Sequence, residues 1–363
     1  MSKNDHALLV QEPLHPVEGL LSDGRSITYY DDGPGHDRSA PDTRGLAPSV
    51  SGAQLRFDPL TRQPVLVAAH RQVRTTGSAA GDCPLCPSRP GRPTEIPADD
   101  YHVAVFGNRF SSLGGAVGGR TEVVCFSSDH ERPVAELPAG RLATIGRAWA
   151  DRTARLSLLP EVESVFVFEN RGADVGATLA HPHGQIYAYP YLPPTQAAVL
   201  DSAREHRART GGCLLCSVVE REAAGPRVVA GTDRFTAYVP EAARWPYEVH
   251  IAPRRCAGDL AALADDERDE LMVLYGDVLR RFDRLFDDPT PYMACWHQAP
   301  VRHRDVLDHF YGQVFTIRRA ADKLKFLASS ESGAGAFIND VAPEAAAQRL
   351  REAARPLSAR PGR

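Results

Sequence analysis

An internal repeat is the feature that most constrains the fold of this 363-residue chain. The same motifs follow one another in residues 83–185 and 213–313: a C-x-x-C pair, a strand-like run, an amphipathic helix, a second apolar run and H-x-x-G-Q. The equivalent positions lie 126 to 130 residues apart, namely Cys83 and Cys213, Cys86 and Cys216, His130 and Cys256, and His181 and His309. Two copies of such a unit predict an α+β protein whose two sheets join into one continuous, mostly antiparallel sheet flanked by helices.

Apolar residues at helical spacing mark the helix of each copy. In the first copy they are Leu142, Ile145 and Trp149. In the second copy they follow an acidic turn and comprise Leu271, Leu274, Val278, Phe282 and Leu285. These patterns predict a loop-rich N-terminal arm over residues 1–50, a first repeat over 51–195, a second repeat over 196–345 and a C-terminal tail over 346–363.

The composition argues against several classes of protein. The net charge of −4 gives no basic surface for nucleic acid. No run approaches the roughly 20 apolar residues of a membrane span, and the first residues lack the apolar core of a signal peptide. We therefore expect a cytoplasmic protein. In a reducing compartment, C-x-x-C pairs predict metal ligands rather than disulfides.

Each copy holds a candidate metal site with four nitrogen or sulfur ligands and no open position, as in structural zinc sites. The first set is Cys83, Cys86, His130 and His181. The second set is Cys213, Cys216, Cys256 and His309. His250 and His303 are alternatives for the fourth ligand of the second set. The competing interpretation is that the thiols are ordinary buried residues, as we expect for Cys125 and Cys295 in their apolar runs.

The stretch ATLAHPHGQIYA places two histidines on either side of one proline. If His181 binds a metal, His183 stays free, because Pro182 and Gly184 permit a bend in the backbone that gives the two histidines separate roles. A neutral imidazole is a good nucleophile, and the amide of Gln185 can donate to a phosphate oxygen without adding charge. Tyr311 replaces His183 in the second copy, and a phenol with a pKa near ~10 cannot do this work at neutral pH. One catalytic repeat is therefore expected, although H-P-H alone also fits a second pair of metal ligands or a surface turn.

Together these motifs resemble the galactose-1-phosphate uridylyltransferases of the histidine-triad superfamily. FENRGADVGATLAHPHGQIYA is similar to the active-site signature of that family, and LRFDPLTRQPVLVAAHRQVR is similar to its early strand and arginine pair. CPLC, CFSSDH, ARWPYEVHIAP, WHQAP and KF continue the resemblance in order over most of the chain. The implied fold is two histidine-triad-like repeats.

The resemblance implies roles for the residues that match the signature. His183 matches the nucleophile that carries the uridylyl group, and Gln185 matches a glutamine that contacts phosphate. The remaining nucleotide-side matches are Arg71 and Arg74 facing phosphate, Asn108 at the nucleoside, Asn170 near the phosphates and Thr178 before H-P-H. The first Cys/His set matches the structural zinc ligands of the family. A solvated basic face is the alternative for the two arginines.

The hexose side of the site is implied to come from a second subunit. Lys325 and Phe326 match a pair that the partner subunit contributes, and Glu331 matches a carboxylate that contacts the sugar. The resemblance therefore implies a homodimer.

The chain also departs from the bacterial and animal members of the family. Thr178, Leu179 and Ala180 stand where those members have serine, asparagine and proline. Val199 and Leu307 stand at two ligand positions of their iron site. The cysteine-rich second set instead resembles two-zinc relatives, which include an adenylyl-sugar phosphorylase.

The sequence therefore predicts a nucleotidyltransferase that converts UDP-glucose and galactose 1-phosphate into UDP-galactose and glucose 1-phosphate through a uridylyl-histidine at His183. The alternative within enzymes is an adenylyl-sugar phosphorylase or a dinucleoside-phosphate hydrolase that uses the same histidine. The alternative of another class is a zinc-stabilised binding module without turnover.

Overall fold

The computed structural model describes residues 15–48, 51–73 and 80–354. Its strands are β1 (Val17–Leu20), β2 (Ser26–Tyr30), β3 (Gln54–Phe57), β4 (Pro64–Val67), β5 (Val103–Gly107), β6 (Arg120–Cys125), β7 (Ser164–Arg171), β8 (His183–Tyr189), β9 (Val228–Gly231), β10 (Phe235–Tyr238), β11 (Tyr247–Pro253), β12 (Tyr292–His297), β13 (Tyr311–Thr316), β14 (Arg318–Ala320) and β15 (Lys323–Leu324). Its α-helices are α1 (Ala139–Ser157), α2 (Pro194–Thr210), α3 (Leu214–Ala223), α4 (Asp265–Asp283), α5 (Ser329–Ala334) and α6 (Pro343–Glu352).

One eleven-stranded sheet runs through both halves of the chain, in the order β1-β2-β5-β6-β8-β7-β12-β13-β11-β10-β9. Outward from its centre, β7-β8-β6-β5 on one side corresponds to β12-β13-β11-β10 on the other, as the repeat requires. The halves join where β7 pairs with β12, from Arg171 opposite Tyr292 to Phe166 opposite His297. All of the pairings in this sheet are antiparallel. The predicted fold class is confirmed.

The two faces of the sheet differ because side chains alternate along each strand. On β7, Val165 and Val167 are buried in the main core, whereas Phe166 and Phe168 lie on the other face. The long helices α1 and α4 pack together over the core face, where Trp149 contacts both Tyr275 and Trp296. The predicted apolar helix faces are buried as expected, including Leu285 just beyond the end of α4. The opposite face stays open for a site.

Two predictions for the ends of the chain need correction. The arm is loop-rich over residues 31–48, but β1 and β2 form a hairpin that pairs with β5 and buries Ile27 and Tyr29. The predicted tail begins inside α6, whose Ala346 and Leu350 join the main core. Both segments carry apolar residues at strand or helix spacing that their glycine, proline and alanine content obscured. Among the described residues, no helix combines the length and apolar character needed to cross a membrane.

Candidate active site

His183 is the first residue of β8, on the face of the sheet that α1 and α4 leave open. This strand lies between β6 and β7, so His183 pairs with Cys125 and the next residue, Gly184, pairs with Glu169. A β-carbon on Gly184 would lie 2.8 Å from both Phe126 Cζ and the Phe168 carbonyl oxygen. The glycine of the motif is therefore required for the close packing that fixes the backbone of His183.

The imidazole of His183 is oriented by its own loop. Its Nδ1 lies 2.8 Å from the carbonyl oxygen of His181, which can only accept, so Nδ1–H donates and Nε2 carries the lone pair. Burial lowers the pKa of His183, and the hydrogen bond to His181 opposes that shift. A neutral, half-buried imidazole with a free Nε2 is suited to nucleophilic attack.

A cavity of about 380 Å³ opens at His183, and two further cavities adjoin it there. The predicted residues that line these cavities with His183 are Arg71, Asn108, Asn170, Thr178 and Gln185. Gln185 Oε1 lies 3.4 Å from Asn108 Nδ2, and Arg71 Nη1 lies 3.4 Å from the hydroxyl of Tyr187. Arg74 lies outside the described residues. The structure thus brings one imidazole, three amides, a hydroxyl group and a guanidinium to three adjoining cavities.

Several charged residues of the main cavity have no counterpart in the sequence predictions. They are Arg25, Arg44, Asp82, Arg92, Glu95 and Arg109. With Arg71, five arginines and two carboxylates line this cavity. Such a balance favours an anionic ligand. Arg109 follows Asn108 directly and was accessible to sequence reasoning, whereas Arg25 and Arg44 reach the cavity only through the fold of the arm.

The three residues predicted on the hexose side lie apart from His183 within one chain. Lys325 and Glu331 form a buried ion pair with 2.9 Å between Nζ and Oε1. The neighbouring Phe326 is 75% exposed. None of the three lines a cavity that His183 lines.

The first Cys/His set is assembled in a form that could hold a metal ion. The ligand atoms of Cys83, Cys86, His130 and His181 all lie within 4.8 Å of one another. His181 Nε2 lies 2.8 Å from the carbonyl oxygen of Ser127, so its Nδ1 is turned toward Cys86 Sγ at 3.6 Å. A backbone acceptor on the outer nitrogen is the usual support for a metal-bound histidine.

The second set repeats this arrangement with Cys213, Cys216, Cys256 and His309 within the same 4.8 Å. His309 Nε2 lies 2.9 Å from the carbonyl oxygen of Pro253, and its Nδ1 faces Cys216 Sγ at 3.4 Å. His250 instead pairs with Glu248, and neither His250 nor His303 belongs to the set. Cys125 and Cys295 are buried, as predicted.

The equivalent position in the second half cannot do the same chemistry. Tyr311 occupies the place of His183, and burial raises its pKa well above the usual range. Its ring stacks on His297 with 4.7 Å between centroids. Gln313, the counterpart of Gln185, accepts from His297 at 2.9 Å and donates to Glu248 at 2.7 Å. These groups satisfy one another, whereas those around His183 face a cavity.

Comparisons with known proteins identify the family of this chain. Family models described as the N-terminal and C-terminal domains of galactose-1-phosphate uridyl transferase match residues 114–193 and 200–359. A galactose-1-phosphate uridylyltransferase of Streptomyces lividans is 44% identical over 92% of this chain and 96% of its own. One from Thermotoga maritima is 38% identical over 82% of this chain and 98% of its own.

The fold is also similar to those of two solved structures. A structure described as a uridylyltransferase matches with a TM-score of 0.74 at 30% identity, covering 83% of this chain and 98% of that one. An ADP-glucose phosphorylase of Arabidopsis thaliana with bound ADP-glucose matches with a TM-score of 0.66 at 25% identity, covering 83% and 99%.

Proposed function

This chain belongs to the galactose-1-phosphate uridylyltransferase family, and from that premise we propose that it transfers a uridylyl group from UDP-glucose to galactose 1-phosphate. The products are UDP-galactose and glucose 1-phosphate. The observation that carries the proposal is the single imidazole of His183, whose Nδ1 donates to a carbonyl oxygen while its Nε2 is left for a ligand in an arginine-lined cavity.

Two displacements at one phosphorus atom account for the reaction. His183 Nε2 attacks the α-phosphorus of UDP-glucose, the bond from phosphorus to the bridging oxygen breaks, and glucose 1-phosphate leaves with that electron pair. A phosphate oxygen of galactose 1-phosphate then attacks the same phosphorus, and the phosphorus–nitrogen bond breaks to restore His183. Such a covalent intermediate gives ping-pong kinetics.

The residues around His183 suit the charge that moves during both steps. Arg71 provides a forked guanidinium for phosphate oxygens. The amide of Gln185 can donate a hydrogen bond to a phosphate oxygen without adding a net charge. This interaction would stabilise the negative charge on the phosphate during transfer of the uridylyl group. Asn170 and Thr178 line the cavities that adjoin the main cavity at His183 and offer further polar contacts.

Zinc is the metal that the two Cys/His sets fit, because each has four nitrogen or sulfur donors and no open position. Cys83, Cys86, His130 and His181 would hold the first ion and fix the loop that ends at His183. Cys213, Cys216, Cys256 and His309 would hold the second. Zinc would supply a structural cross-link at each place.

A homodimer would complete the site. Exposed Phe326 and the ion-paired Lys325 and Glu331 lie away from His183 of their own chain, so we propose that they serve the hexose in the cleft of the partner. Mixing equal amounts of His183→Ala and Lys325→Met subunits tests this proposal. About half of the dimers are then mixed, and in each mixed dimer one of the two sites holds both intact residues. About a quarter of wild-type activity should therefore return. No recovery would refute the shared site. We further propose a cytoplasmic location and a division into arm, catalytic repeat and scaffolding repeat near residues 50 and 195.

The decisive experiment traps the intermediate. Incubation with UDP-glucose labelled with ³²P in the α-phosphate, followed by mildly alkaline denaturation, should leave label on wild-type protein. His183→Ala should leave none, and His206→Ala on α2 should retain it as a matched control. Absence of label from active wild-type protein would refute the mechanism, and binding without turnover would support a binding module instead.

The same assay separates the alternative enzyme. An adenylyl-sugar phosphorylase would accept ADP-glucose as donor and inorganic phosphate as acceptor. The cysteine-rich second set and the structural match to an ADP-glucose phosphorylase favour keeping this candidate in the test. Supplying each donor with each acceptor decides between them.

A further inference from the structure

The N-terminal arm forms one wall of the cavity at His183. Arg25 follows Gly24, whose φ of +82° makes the tight turn between β1 and β2. Arg44 lies further along the arm, and both arginines line the same cavity as His183 and Gln185. The arm is therefore part of the binding site as well as an extension of the sheet.

A glutamate of the first repeat holds these two arginines together. Glu95 accepts from Arg25 Nη2 at its Oε2 and from Arg44 Nη1 at its Oε1, at 2.7 and 2.8 Å. Arg25 also donates to Asp23 at 2.7 Å and to the Gly107 carbonyl oxygen at 2.7 Å. The group is fixed before any ligand arrives.

Arg44 is anchored equally firmly from the other side. Its Nε and Nη2 both donate to Asp42, each at 2.8 Å. Asp42 in turn accepts from the Ser22 backbone at 2.9 Å. A guanidinium has five N–H groups, and the bonds described above engage three of them on each arginine. Each carboxylate oxygen of Glu95 accepts one of these bonds and has a second lone pair. Donors and acceptors are thus left over for a ligand.

The charges of this wall do not suit a phosphate. Two arginines stand against Asp23, Asp42 and Glu95, so the group carries a small net negative charge. Phosphates are better placed at Arg71 and Gln185 beside His183. The wall instead suits an uncharged ring with its own donors and acceptors, at the end of the cavity where Gly107 leads into Asn108.

On the basis of the proposed nucleotidyl transfer, we propose that Arg25, Glu95 and Arg44 read the edge of the base and select uracil. The three side chains offer a donor, an acceptor and a donor in that order. Uracil offers O2, N3–H and O4, which are an acceptor, a donor and an acceptor. Cytosine, adenine and guanine each break this pattern, so each would leave at least one polar group of the wall unpaired, which is costly in a cavity.

Binding of mononucleotides tests the assignment directly. We expect wild-type protein to bind UMP more tightly than CMP by about tenfold or more, measured by isothermal titration calorimetry. In Glu95→Gln the amide can donate to N3 of cytosine, and the UMP to CMP ratio of affinities should fall by about tenfold. In turnover, KM for UDP-glucose should rise with little change in kcat, because base contacts bind ground and transition states alike.

Arg38→Gln is the matched control, because Arg38 pairs with Asp31 inside the arm and does not line the cavity. It should leave the UMP to CMP ratio unchanged. If Glu95→Gln does not fold, Arg25→Lys and Arg44→Lys keep the charge, lose the fork and should lower the ratio. An unchanged ratio in the folded variants would refute this inference while leaving uridylyl transfer intact. Selective UMP binding without any transfer would refute the proposed function alone.

Discussion

The carboxyl group of Glu169 makes a quantitative prediction about stability. Glu169 points into the core from β7 and is 3% exposed. Tyr292 and Tyr275 donate to its two oxygens at 2.9 and 3.2 Å. Burial raises the pKa of Glu169 to about 7, although both tyrosines and Arg171 oppose that shift.

The sign of the effect follows from where the proton is held. Below pH 4.5, the pKa of an ordinary glutamate, Glu169 is protonated in both folded and unfolded chains. Between that pH and about 7 the folded state binds more protons, so the free energy of unfolding falls as pH rises. At about 1.4 kcal/mol for each pH unit, the full loss is about 3 kcal/mol.

Glu169→Gln removes this titration while keeping the shape of the side chain. We expect the difference in unfolding free energy between Glu169→Gln and wild type to grow by about 2 to 3 kcal/mol in favour of the variant from pH 5 to pH 8. Urea unfolding at constant zinc measures it. Glu205→Gln, at an exposed position of α2, controls for loss of a carboxyl group. A pH-independent difference would show that Glu169 is ionised in the fold throughout this range.

Three further predictions concern the site. Gly184→Ala should lower the unfolding free energy by about 1 to 3 kcal/mol and reduce turnover, because its β-carbon would crowd Phe126. Gly140→Ala, in the first turn of α1, should be neutral or stabilising. Urea unfolding measures both variants, and equal effects on the unfolding free energy would contradict the prediction. Replacing Cys83 and Cys86 by serine should lower the zinc content from about two ions per chain to about one, measured by mass spectrometry, whereas Cys125→Ser should keep both. Arg71→Ala should lower kcat/KM for UDP-glucose by about tenfold to a thousandfold, and Arg209→Ala on α2 should not; the contact with phosphate is wrong if the two variants behave alike.

The sequence was most informative where one short motif indicates both where the residues lie in the fold and what their side chains could do chemically. H-P-H-G-Q placed His183 and Gln185 together, and the offsets of the repeat placed eight cysteines and histidines in two sets. The apolar run VFVFEN after the first predicted helix likewise marked the position of β7. These features depend on residues that are neighbours in the sequence or that recur at a regular spacing. Both kinds of pattern can be recognised in one sequence.

The sequence was least informative about contacts across long separations. Arg25 and Arg44 meet Glu95 only because the arm pairs with β5, and nothing local to SDGRS or DTRG indicates a cavity. The partner of Lys325 was likewise hidden, since its ion pair joins a residue just beyond β15 to Glu331 in the short helix α5. The core helix α6 was obscured because its buried side chains are mostly alanines, which give weak periodicity.

The pairing of β7 with β12 gives the second repeat a structural part in the fold, although Tyr311 stands where the first repeat has His183. Either repeat alone would expose a long apolar edge strand, VFVFEN in one and YMACWH in the other, and such edges promote aggregation. Covalent fusion hides both edges permanently, whatever the protein concentration. The second half therefore contributes through the shape of its joining strand, which does not depend on a reactive group at Tyr311.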